Sequence, residues 1–100
     1  MPTTVKFHRR AAPSLAAWQA RILATPPADP QLYRLLVGEL AAELARADGL
    51  PPGYRWRADL TPPGYVWRYA ADAWVHYLLK VVGQRDREAL VVAVTPAEPR

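Results

Sequence analysis

The chain contains no cysteine, and its 100 residues include two histidines, one methionine and one phenylalanine. Without cysteine there is no disulfide, no thiolate nucleophile and no Cys-based zinc site. His8 and His76 are too few for a His-rich metal centre, so neither a metal nor another cofactor is expected. The five glycines are dispersed, which leaves no phosphate-cradling loop of the nucleotide-binding kind. No apolar run reaches the roughly 18 residues of a membrane helix. The opening MPTTVKFHRR has charge without the apolar segment that follows it in a signal peptide. The expectation is a soluble, cytoplasmic protein with no membrane partner.

What remains is a chain that is 51% apolar and 22% charged, enough to build one core, and residues 1–100 are read as a single domain. The formal charge of +4 is unevenly spread. Lys6, Arg9 and Arg10 have no acid nearby in sequence, and Arg55, Arg57, Arg68, Lys80, Arg85 and Arg87 outnumber Asp59, Asp72 and Asp86. Between them, Asp29, Glu39, Glu43 and Asp48 outnumber Arg34 and Arg46. Basic ends around an acidic middle suit a nucleic acid on one side, although an arginine-rich composition gives such numbers without any ligand.

Periodicity supplies the elements. TTVKFHRR places Val5 and Phe7 inward and Lys6 and His8 outward, the spacing of a half-buried strand. Leu15, Trp18 and Ile22 then share one face of a helix opened by Pro13 and stopped by TPPADP. Asp29 followed by Pro30 caps a second helix, whose stripe is Leu32, Leu35, Leu36, Leu40 and Leu44 and whose stop is Gly49. From Tyr54 the texture is strand. DAWVHYLLKVV sets Trp74, His76, Leu78 and Lys80 on one face and Val75, Tyr77, Leu79 and Val81 on the other; GQRDRE is a hairpin loop, and ALVVAV a buried central strand. The fold class is α+β, in the order β-α-α-β-β-β with a possible further strand, the helical hairpin packed on one face of a mostly antiparallel sheet.

One phrase occurs twice: PPGYRWR begins at Pro51 and PPGYVWR at Pro62. As structure, these are two strand openings with stiff turns, aromatic residues inward and arginines outward, and period-two alternation favours this assignment. As a nucleic-acid site, the outward arginines meet phosphates while an exposed aromatic stacks on a base.

The element order at this length resembles the RelE/ParE superfamily of bacterial toxins from toxin–antitoxin modules, over nearly the whole chain. The most specific part is ADLTPPGYVWRYAADAWVHYLL, in which Leu60, Gly64, Tyr65, Arg68, Asp72 and Tyr77 fit the family's Gly turn, basic strand, acidic turn and following strand. The resemblance implies metal-independent cleavage of mRNA on the ribosome, or inhibition of DNA gyrase, under control of a cognate antitoxin. It places the family's basic strand residue at Arg68; together with the residue reading, the candidate catalytic residues are Arg68, His76 and Tyr77, and the candidate nucleic-acid contacts are Arg55, Arg57, Lys80, Arg85 and Arg87. Two departures stand out. Trp74 replaces the arginine expected at the head of the next strand, and Thr95, Pro96 and Ala97 occupy the place of a late Arg followed by His or Tyr. These departures open the alternative of a catalytically inactive fold relative that binds protein or RNA. From the residues alone, His76 is either a general acid or base beside Arg68 and Lys80 or, more commonly for such a position, a locally hydrogen-bonded strand histidine. Arg85 and Arg87 are either phosphate contacts or solubilising charge.

Overall fold

The structure is a computed structural model and describes residues 3–100; Met1 and Pro2, included in the single-domain reading, lie outside the described residues. The order is β1 (Thr3–Phe7), α1 (Ala12–Ala24), α2 (Pro30–Arg46), β2 (Arg55–Arg57), β3 (Gly64–Ala70), β4 (Ala73–Val81) and β5 (Arg87–Thr95), with a 3-10 turn at Arg9–Ala11. This is the expected α+β order, with four strands after the helices. The sheet runs β1-β5-β4-β3-β2; β1 and β5 are parallel and the other neighbours antiparallel. Parallel pairing of first and last strands requires a long crossover, which the intervening elements supply.

The helix boundaries follow from local chemistry. The Asp29 carboxylate accepts from the Gln31 N–H at 2.9 Å, with Pro30 in the first turn of α2. After Arg46, Asp48 and Gly49 adopt φ of 55° and 80°, and the Gly49 N–H closes on the Leu44 carbonyl at 2.9 Å. Where β1 ends, α1 completes the edge of β5: the Ser14 hydroxyl accepts from the Val94 N–H at 3.0 Å and donates to the Ala11 carbonyl at 2.9 Å.

The core lies between the helices and one sheet face. Trp18, Leu40 and Leu44 pack against Trp67, Val75, Tyr77, Ala89, Val91 and Val94. Trp18 meets Tyr33 and Tyr69 edge-on, with centroids 5.7 and 6.5 Å away. The stripe expected on α2 is partly misphased. Leu32 and Leu35 are exposed, while Tyr33, Leu36 and Val37 pack beside buried Leu40 and Leu44. Tyr33, Leu36, Val37, Leu40 and Leu44 follow helical periodicity, and Leu35 falls on the opposite side of that stripe.

The repeated phrase also divides. In the second copy the plan holds: Trp67 is buried and Arg68 exposed. In the first it fails, because Trp56 is 56% exposed and Tyr54 42% exposed. β2 is a three-residue edge strand, and the helical layer packs mainly over β1 and β5 at the other side of the sheet. Trp56 instead leans on Tyr65 at 5.0 Å, and Tyr65 stacks on Tyr77 at 5.6 Å.

Arg21 is a weak point in this packing, since its Nε and Nη2 are buried without a hydrogen-bond partner. Arg21→Met retains an apolar stem and removes those donors, so it is expected to raise the unfolding free energy by about 1–2 kcal/mol. The check is a urea denaturation midpoint; a decrease would mean that the guanidinium contributes favourably.

Candidate nucleic-acid interface

The sheet face away from the helices carries the basic residues. Directly paired residues point to the same side of a sheet. The register Arg55–Val66–His76–Ala93 and the register Arg68–Trp74–Thr95 therefore lie side by side on this face, with Arg57 opposite Gly64 beside them; the middle of the face is covered, since Val66 is fully buried. Arg55 and Arg68 are exposed. The Arg68 guanidinium lies 5.8 Å from the centre of the Trp74 ring, a cation–π arrangement, and also donates to the Ala71 carbonyl at 3.4 Å.

Arg57 is clamped. Its Nε and Nη2 donate to the two Asp59 carboxylate oxygens at 2.8 and 2.6 Å, a bidentate pair. These bonds hold the Asp59 carboxyl at a pKa of about 2 and raise that of the guanidinium. On its other side, Nη1 donates to Glu98 Oε1 at 3.3 Å and to the Pro99 carbonyl at 3.0 Å. Glu98 also pairs with Arg55.

His76 lies below the surface of this face, 6% exposed, with Nε2 2.9 Å from the Pro62 carbonyl. A carbonyl only accepts, so this nitrogen carries the proton. Burial lowers the pKa of the ring; the Pro62 bond raises it, and the charges of Arg10 and Arg57 lower it further, for a net decrease. Gly64 makes this packing possible, because a Cβ there would lie 3.1 Å from His76 Nε2. The neutral ring has a consequence for stability. The unfolded chain takes up a proton near the ordinary value of 6.5, while the native ring does so only at lower pH. Between the two, the unfolded state binds more protons, so stability falls as pH drops through that window. Denaturation midpoints are expected to be lower near pH 5.5 than near pH 7.5, and His76→Gln, whose amide still reaches Pro62, to reduce the difference. An undiminished difference in the variant would place the proton uptake elsewhere.

The predicted site residues do not form one cluster. Arg55, Arg57, Arg68 and His76 come together, and Lys80 shares their face farther along β4. Tyr77 is a correction: it follows His76 in a strand and so faces the helices. It is fully buried, and its hydroxyl donates to the Gly49 carbonyl at 2.6 Å. Arg87 lies apart from the other arginines, since its register partners Val81 and Thr3 place it on the helix side. Arg85 lies in the exposed loop between β4 and β5. Sequence reasoning assigned no functional role to three participants. Trp74 was already on the His76 face by alternation, whereas the contacts of Asp59 and Glu98 with the arginines had no periodic signal.

Among the described residues, no group of three or more His, Cys, Asp or Glu side chains is placed to hold a metal ion, and no helix is long and apolar enough to cross a membrane. Compared with family models, curated proteins and solved structures, the chain matches none of them.

Proposed function

We propose that the protein is a catalytically inactive relative of the RelE/ParE toxins that binds RNA through the open face of its sheet. One observation carries this reading: Arg55, Arg68 and Trp74 lie side by side on that face, while His76 at its centre is buried beneath Pro62. Arginines at this spacing meet successive phosphates, and an aromatic ring beside them accepts a base at about 1–3 kcal/mol per stack. Cleavage through a 2′-hydroxyl needs a proton-transfer group at the reacting atoms. His76 Nε2 is committed to a carbonyl, Tyr77 is on the other face, and His8 Nδ1 accepts from the Arg10 N–H at 3.0 Å.

The toxin reading, in which the protein acts on mRNA at the ribosome or on DNA gyrase and is checked by a cognate antitoxin, is favoured by the element order with both helices on one face. Two measurements separate the readings: anisotropy of a labelled single-stranded RNA, and primer-extension mapping of mRNA ends in cell-free translation. RNA binding without new ends at saturating protein is the expected result. New ends at the ribosomal A site, lost in Arg68→Ala and His76→Ala, would replace it with the nuclease reading. Neither binding nor cleavage would discard RNA as the target.

A further inference from the structure

The segment after β5 turns back across the open face. The Thr95 hydroxyl donates to the Ala97 carbonyl at 2.7 Å, folding the chain tightly around Pro96. Glu98 then arrives between the two arginines of β2, ion-paired with Arg55 and 3.3 Å from Arg57 Nη1, which also donates to the Pro99 carbonyl at 3.0 Å. An anionic group accepting from two guanidinium groups is the arrangement that a nucleic-acid phosphate would adopt in the same place.

We propose that residues 96–99 are a displaceable internal ligand: the Glu98 carboxylate occupies the phosphate position between Arg55 and Arg57, and RNA must expel it to reach them. This rests on the RNA-binding reading above. The two arginines respond differently to its departure. Arg57 keeps its bidentate partner Asp59 and remains in place, whereas Arg55 loses its ion-pair partner and becomes available to a phosphate. Arg68 and Trp74 are outside the clamp, so they form the first contact, and the segment sets a threshold for the second. The Glu98 side chain is 32% exposed, which gives an incoming anion access to it.

The test compares Glu98→Gln with Glu88→Gln by anisotropy of a labelled single-stranded RNA. Both variants remove one negative charge; Glu88 is on the same face, 3.2 Å from Lys6, and outside the clamp. Glu98→Gln is expected to bind about fivefold tighter than wild type, the scale of one partly exposed ion pair, and Glu88→Gln to change affinity by less than about twofold. In wild type, heteronuclear NOE values of Ala97 and Glu98 are expected to fall to those of a flexible segment when RNA is added. Equal gains in both variants, no gain in either, or an ordered segment in the RNA complex would overturn the proposal. If wild type and both variants all fail to bind RNA, the underlying RNA reading falls and takes this one with it; only that outcome includes a non-binding wild type.

Discussion

Replacing Arg55 and Arg68 together with alanine is expected to weaken single-stranded RNA binding by about one to two orders of magnitude at low salt. Both side chains are exposed and make few bonds within the chain: Arg55 pairs with Glu98, and Arg68 lies over Trp74 with one long bond to the Ala71 carbonyl. The fold should therefore keep its thermal midpoint while binding is lost. Salt dependence adds a second signature, because each phosphate contact contributes about 0.7 to the logarithmic slope, so two lost contacts flatten it by about 1.4. Arg85→Ala is the control. It removes one positive charge, half that of the double variant, from the loop between β4 and β5 and is expected to leave affinity within about twofold. An equal loss in the control would mean that net charge, rather than the arginine row, governs binding.

Gly64→Ala is expected to lower the unfolding free energy by about 2–3 kcal/mol and to disturb His76 at the same time. An added Cβ would lie 2.7 Å from the Tyr77 carbonyl oxygen, 2.9 Å from Leu78 Cδ2 and 3.1 Å from His76 Nε2. The leucine end can rotate, but the carbonyl belongs to the β3–β4 ladder and cannot yield without breaking the register. Part of the strain will move the imidazole: losing the Pro62 bond lowers its pKa and gaining water raises it, and because burial is the larger cause the net shift should be upward, toward the ordinary value. Gly38→Ala provides the contrast. Nothing lies within 4 Å of a Cβ there, in the middle of α2, so alanine should stabilise by about 0.5–1 kcal/mol. A Gly64→Ala protein as stable as wild type, with an unchanged His76 titration, would refute this account of the turn.

These two substitutions mark the boundary between what periodicity reveals and what it misses. Strand alternation correctly divides β4 into a face toward the helices with Val75 and Tyr77 and a face away from them with Trp74 and His76, although it does not show that His76 is buried there too. The same alternation argues against Tyr77 as a partner of His76, and only the resemblance to a toxin family grouped them. Prolines, Asp29 and Gly49 mark the helix ends because they act through local backbone chemistry. On α2, leucines are abundant enough to suggest two stripes, and the choice between them depends on where the sheet lies. Trp56 has the same local pattern as Trp67, yet it is exposed, because its strand is at an edge beyond the helical layer. The Glu98–Arg57 contact joins residues 41 positions apart through a turn with no periodic signature, so it emerges only once β5 and β2 have folded.

The most direct test of the central claim is the salt dependence of RNA affinity in the wild-type protein. If Arg55 and Arg57 share one phosphate of a single strand and Arg68 neutralises a second, the logarithm of the association constant should fall with the logarithm of salt concentration at a slope of about −1.4. A slope near zero, or no measurable binding at low salt, would contradict the assignment of the open face as an RNA-binding surface.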